Sequence, residues 1–164
     1  MFSTGATGGD VTSGNRARLE GLGIVLPPPP TPKGTYAPVV VHGGLAYVSG
    51  QIVTEEGRVV SPGLVDQDVR VETAKELARR ATLQGLSALA HALGSLDQIH
   101  RIVRVTVYVA SSAGFVRQHE VANGSTDLLV DIFGEPGRPA RAAIGVASLP
   151  LGAAVEVELV VAVE

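Results

Sequence analysis

The last predicted strand constrains the fold of this chain more than any other segment, because its two faces require different surroundings. Along residues 153–163 the first face carries Val155, Val157, Leu159, Val161 and Val163, and the second carries Glu156, Glu158, Val160 and Ala162. Such alternation is typical of a strand with one buried face. The second face is too apolar for solvent and too charged for a closed core, so we expect a subunit contact to cover it.

The first half of the chain predicts strands followed by one long helix. Residues 39–41, 45–53 and 58–60 have the β-branched character of three strands, and glycine-containing turns join them. Apolar residues between Ala74 and Leu93 then recur at three- and four-residue steps, which predicts an amphipathic helix ending at Gly94.

The second half repeats this arrangement. Residues 99–110 alternate, which predicts a strand whose apolar face consists of Val103, Val105, Val107 and Val109. A second helix is expected to open near Ser111 or Ser112 and to stop at Gly134, and two strands follow over residues 141–147 and 153–163. The order β-β-β-α-β-α-β-β predicts an α+β fold, a six-stranded mixed sheet with both helices on one face.

Three segments of different character divide the chain. Residues 1–15 are rich in Gly, Ser and Thr and predict a flexible tail, which should be dispensable. Residues 16–33 form a proline-rich arm, in which Pro27, Pro28, Pro29, Pro30 and Pro32 impose an extended backbone. Residues 34–164 form the folded domain.

Composition excludes several classes of function. The chain has no cysteine, so thiolate nucleophiles, disulfides and thiolate metal sites are excluded. A net charge of −3 provides no positive field for a phosphate backbone, so we expect no nucleic-acid partner. The N-terminus lacks a signal-peptide pattern and no segment predicts a membrane span, which favours the cytoplasm. The four histidines lack metal-ligand spacing, so no metal is expected.

Several separated motifs, in order, resemble the Rid family, the reactive intermediate imine deaminases also known as the YjgF family. The resemblance covers roughly residues 34–164. The motifs are Gly34-Thr35-Tyr36, Tyr47-Val48-Ser49-Gly50-Gln51, the strand over residues 103–109, Asn123, Pro139-Ala140-Arg141, Leu149-Pro150 and Val155-Glu156-Val157-Glu158.

The resemblance implies a chorismate-mutase-like fold assembled as a homotrimer, with pockets between adjacent subunits. It also implies hydrolysis of reactive 2-imino or enamino acids to 2-keto acids and ammonia, without a metal or an organic cofactor. The expected partner is therefore a small-molecule carboxylate.

Residue by residue, the resemblance places the site on six positions. Arg141 is expected to bind the substrate carboxylate through its planar fork, and Glu156 to orient or activate water. Tyr36 would close the pocket, Gly50 would allow close approach to backbone, and Asn123 matches a family asparagine. Ala143 would offer backbone groups only, since Ala142 and Ala143 stand where many family deaminases carry Ser and Cys.

Other interpretations of these residues remain open. Arg141 suits a surface or interface ion pair, and Glu156 suits a pair with Arg104 or Arg141 at a subunit contact. Tyr36 suits packing at a sheet edge, Gly50 a strand bulge, and Asn123 a bond to its own backbone.

At the level of function, a non-catalytic trimer that binds small carboxylates such as 2-keto acids is the alternative, and the two alanines favour it. An endoribonuclease activity, the name attached to some relatives, conflicts with the excess of acidic over basic residues in this chain.

Overall fold

The structure, a computed structural model, describes residues 14–163. Ten helices and strands make up the fold: α1 (Asn15–Gly21), β1 (Val39–His42), β2 (Leu45–Gln51), β3 (Thr54–Glu55), β4 (Arg58–Val59), α2 (Val71–Leu93), β5 (Ile99–Ala110), α3 (Gln118–Phe133), β6 (Ala140–Val146) and β7 (Val155–Val163). The α+β class and the mixed sheet predicted from the sequence are confirmed.

The main sheet contains five strands, not the predicted six, in the order β1-β2-β7-β5-β6. Neighbouring strands are antiparallel except β5 and β6, which are parallel. The predicted third strand is instead the short β4, which pairs only with β3 in a separate two-stranded ribbon. The strand hydrogen bonds of residues 54–59 are therefore made within this ribbon, and these residues do not extend the main sheet.

The strand β7 is the centre of the main sheet, and α2 and α3 cover one face of it. Residues on that face of β7 are all buried: Val155, Val157, Leu159, Val161 and Val163. The residues between them, from Glu156 to Ala162, are each partly exposed on the face that carries no helix. The predicted contrast between the two faces is confirmed.

The alternation predicted for β5 is wrong at Val103. Register shifts interrupt the pairing of β5 with β7 between Ile99 and Arg101 and between Ile102 and Arg104. Each irregularity changes which residues face the core, so Ile102 is fully buried and Val103 is 37% exposed.

The helix α2 ends as predicted, at Gly94 in the left-handed conformation (φ 82°). The helix α3 begins at Gln118, later than the predicted start at Ser111 or Ser112. The Ser111 N–H donates to the Val146 carbonyl, so this residue continues the sheet and lies well before the first residue of the helix.

The N-terminal segment is anchored on the domain. Residues 1–13 of the predicted tail lie outside the described residues. Asn15, the last residue of that predicted tail, begins α1, and its Nδ2 donates to the carbonyls of Leu96 (3.0 Å) and Ile99 (3.2 Å). These two hydrogen bonds attach Asn15 to the segment that leads into β5. Among residues 14–163, no helix combines the length and apolar character that a membrane span requires.

Gly124 lies in the interior of α3, where glycine is unfavourable for a helix, and the structure gives the reason for a glycine there. The residue is buried where α3 crosses α2, and a Cβ at this position would overlap the backbone carbonyl of Lys75. The absence of a side chain lets the two helices approach each other closely.

We therefore expect Gly124→Ala to destabilise the fold by roughly 1 to 3 kcal/mol, the cost of overpacking a close contact. Chemical denaturation measures the free energy of unfolding. The control is Gly21→Ala at the end of α1, where nothing lies within 4 Å of the added Cβ and no loss is expected. Equal stabilities for the two variants would contradict the close-packing interpretation.

Candidate active site

Glu156 lies on the uncovered face of the central strand, at the wall of the largest cavity described. Val155 and Val157 on either side of it point into the core. The cavity has a volume of about 680 Å³ and its lining includes Tyr36, Gly50 and residues 27–33 of the proline-rich arm. We call it the arm cavity. It brings together three of the predicted site residues: Glu156, Gly50 and Tyr36.

The carboxyl group of Glu156 has an unusual environment. Burial raises its pKa above the ordinary range, and the negative charge of Glu158 on the same face raises it further. The folded protein therefore holds this proton more tightly than the unfolded chain does. Its contribution to stability is present below the ordinary carboxyl pKa and is lost as the pH rises through the raised value.

Gly50 makes room for this carboxylate. A Cβ at Gly50 would overlap Oε1 of Glu156, so an alanine there would displace the side chain. The β2 strand also shifts its register against β7 between Val48 and Gln51. The strand irregularity considered from the sequence is present, and the group that lies close to Gly50 is the Glu156 carboxyl group, while the approach of a ligand to this backbone stays a prediction.

The Glu158 side chain is hydrogen-bonded to the neighbouring strand β5. Its Oε1 accepts a hydrogen bond from the Tyr108 hydroxyl at 3.0 Å. Burial raises the pKa of Tyr108, and this hydrogen bond and the carboxylate charge raise it further. This contact holds Glu158 in place and leaves Glu156 as the carboxyl group that faces the cavity.

Arg141 and Asn123 form a second group, at the edge strand β6. Arg141 Nη1 donates to Asn123 Oδ1 at 2.7 Å and to Thr126 Oγ1 at 3.2 Å. Both partners lie on α3, one turn apart. Asn123 thus bonds the Arg141 side chain, in place of the backbone contact considered from the sequence. Within residues 14–163 no carboxylate pairs with Arg141, so its exposed guanidinium keeps donors for a ligand.

The two groups lie on opposite faces of the sheet. Arg141 is opposite the fully buried Val105 and contacts α3, which places it on the helix-covered face. Glu156 is opposite Tyr108 on the uncovered face. One protomer therefore does not bring the two predicted catalytic residues together, and no ion pair joins them within the described chain.

The remaining predicted position, Ala143, is half-buried opposite Val107 and packs against the core.

Sequence reasoning missed three further features. Thr126 shares Arg141 with Asn123, a contact that its three-residue spacing from Asn123 on a helix could have indicated. Lys33 and Gln84 also line the arm cavity. No group of three or more His, Asp or Glu among residues 14–163 is arranged to hold a metal ion.

Comparison with protein families gives a match over residues 28–163 to the family described as Endoribonuclease L-PSP. The matched region includes the end of the proline-rich arm, which the sequence resemblance had left out.

Individual proteins match over nearly the whole chain. Protein TCP17 of Trypanosoma cruzi is 42% identical over 146 residues, covering 88% of this chain and 91% of that protein. A 2-iminobutanoate/2-iminopropanoate deaminase of Dermatophagoides farinae is 29% identical over 141 residues, covering 86% and 95%. The crystal structure of Atu1372 from Agrobacterium tumefaciens, a protein of unknown function, has a TM-score of 0.83 at 40% identity and covers 92% of each chain.

The charge of Glu158 can be tested as one cause of the raised Glu156 pKa. In Glu158→Gln we expect the pKa of Glu156 to fall, because a like charge is removed, yet to stay above the ordinary range because burial remains. An NMR titration of the Glu156 carboxyl carbon measures the change. Glu135→Gln, at an exposed position, is the control. A pKa that does not respond to Glu158→Gln would show that burial alone sets it.

Proposed function

The chain belongs to the Endoribonuclease L-PSP family of the YjgF/Rid superfamily, and from this we propose that it hydrolyses reactive 2-imino and enamino acids to 2-keto acids and ammonia. The observation that supports this most is the division of the site residues into two groups. One face offers a half-buried carboxyl group beside a cavity, and the opposite face offers a guanidinium without a carboxylate partner. Together they match the two charges that hydrolysis of an imino acid requires.

A site with both groups requires a second protomer, so the proposal includes a homotrimer with a chorismate-mutase-like arrangement. The uncovered sheet face carries half-exposed apolar side chains, including Val40 (52%) and Tyr47 (46%). Burying such a patch against another subunit is favourable. In this arrangement Arg141 of one protomer faces the arm cavity of its neighbour.

In the proposed reaction Arg141 binds the substrate carboxylate bidentately, and its bonds to Asn123 and Thr126 fix the guanidinium orientation. Glu156 accepts a proton from water as the water oxygen attacks the C=N carbon. Glu156 passes this proton to the nitrogen, which gives a tetrahedral carbinolamine. It then takes the hydroxyl proton of that intermediate and delivers it to the nitrogen, so that the C=O bond of the keto acid forms as the C–N bond breaks and ammonia leaves. A raised pKa suits a carboxyl group that has both to take up a proton and to release it.

A non-catalytic trimer that binds small carboxylates remains the second candidate. Ala142 and Ala143 favour it, because neither side chain can take part in proton transfer. The two candidates differ in a single measurable property, since both predict binding of 2-keto acids and only the first predicts turnover of imines.

To separate them, 2-imino acids are generated in situ with an amino acid oxidase, and keto acid release is followed with and without the protein. We expect acceleration by the native chain. Glu156→Gln should retain keto acid binding and lose the acceleration, because the amide keeps the shape and cannot accept the proton. Glu76→Gln, on the exposed side of α2, is the matched control. Equal rates with and without the native protein would contradict the deaminase activity and leave carboxylate binding as the one candidate function.

Binding by Arg141 is tested separately. Arg141→Lys keeps the charge and loses the fork, so small-carboxylate binding should weaken by roughly 1.5 to 3 kcal/mol, the size of hydrogen bonds to a charged group. Isothermal titration with a 2-keto acid measures it. Arg138→Lys, at an exposed arginine paired with Glu135, is the control. If both substitutions change the affinity equally, the carboxylate is held elsewhere.

A further inference from the structure

The wall of the arm cavity formed by the proline-rich arm has almost no hydrogen-bond donors. Residues 27–32 are prolines except Thr31, and proline has no backbone N–H, so this wall offers carbonyl acceptors and apolar rings. The wall is fixed on α2, because the Ser87 hydroxyl donates to the Pro27 carbonyl at 2.6 Å. Partial burial of Ile24 and Leu26 against the core anchors the preceding residues.

Gln84 lies beneath this wall. It is three residues before Ser87 on α2, and it lines both the arm cavity and a smaller cavity of about 420 Å³ that shares Pro27 and Pro28. Its Oε1 atom is buried, and no donor among residues 14–163 reaches it. A buried acceptor without a donor is costly and uncommon. The prolines at residues 27–30 have no backbone N–H to donate to it.

Gln84 lines the arm cavity, so a ligand there that carries an N–H group would supply the donor that Oε1 lacks. The charged side chains of the lining are one basic and one acidic group, Lys33 and Glu156, so the lining selects neither a cationic nor an anionic side chain by net charge.

We infer that the arm cavity is the subsite for the substrate side chain and that Gln84 selects a side chain ending in a neutral N–H donor, such as a carboxamide on a short apolar stem. The apolar rings of the prolines contact the stem, and Gln84 Oε1 accepts the hydrogen bond. This inference rests on the proposed function, because it assigns the side-chain subsite of the same site.

Two matched carboxylates isolate the N–H donor. Glutaramate ends in a carboxamide, and 5-oxohexanoate has a methyl group in place of the amide nitrogen, so the two differ only in the donor. Their affinities for the native protein are measured by NMR titration. We expect glutaramate to bind about 2- to 10-fold more tightly, the range for one net hydrogen bond.

Variants then assign the preference to Gln84. In Gln84→Leu the two ligands should bind equally, while Gln84→Glu keeps an acceptor oxygen and should keep the preference for glutaramate. Gln67→Leu, at an exposed position outside the lining, should behave as the native protein. Because Gln84→Leu removes an unsatisfied acceptor, its melting temperature should equal or exceed the native value.

The results that would overturn the inference are equal affinities in the native protein, a preference that survives in Gln84→Leu, or a marked fall in the melting temperature of that variant. The assay of imine hydrolysis is independent of these. If the protein hydrolyses imines and shows no preference for glutaramate, the subsite assignment is wrong and the proposed deaminase activity stands. If it prefers glutaramate and does not hydrolyse imines, the proposed activity is wrong and the subsite belongs to a binding protein.

Discussion

The different environments of the two faces of β7 determine the rest of the structure. The residues on its helix-covered face, which are Val155, Val157, Leu159, Val161 and Val163, lie in the middle of the core, where α2 and α3 exclude water, and this burial fixes the register of the whole strand. The same register forces Glu156 and Glu158 onto the opposite face. A shift by one residue would bury both carboxyl groups among the helices, so the hydrophobic core itself holds Glu156 in position.

The consequences extend to the neighbouring strands. The Glu158 side chain bonds to Tyr108 of β5, and the Glu156 side chain occupies the space that a Cβ of Gly50 on β2 would need. The burial of Glu156 and the negative charge of Glu158 raise the pKa of Glu156. Arg141, on β6, takes the other face and bonds to α3. The sheet therefore keeps the Glu156 carboxyl group apart from Arg141, the cation that the proposed reaction would pair with it. In the proposed oligomer, contact between copies of the chain would bring the two groups together.

Local periodicity accounts for most of what could be predicted. The extent of α2 up to Gly94 and the alternation of β7 follow from neighbouring residues alone, so the sequence predicts both. The features that it does not predict depend on pairing between distant segments. The bulges that expose Val103 arise where β5 meets β7, and Ser111 stays in the sheet because a carbonyl of β6 accepts its N–H. The site shows the same limit: residue types and motif order indicate Arg141, Glu156 and Asn123, whereas the faces they occupy depend on strand pairing.

The most direct test of a shared site is complementation between two inactive variants. Arg141→Ala and Glu156→Gln chains are unfolded together in equal amounts and refolded, and mixed oligomers are identified by mass spectrometry. If each site takes Arg141 from one protomer and Glu156 from its neighbour, about one quarter of the sites in random mixtures contain both native residues. We therefore predict that imine hydrolysis returns to about a quarter of the native rate. Mixed oligomers as inactive as either variant alone would contradict a site shared between subunits.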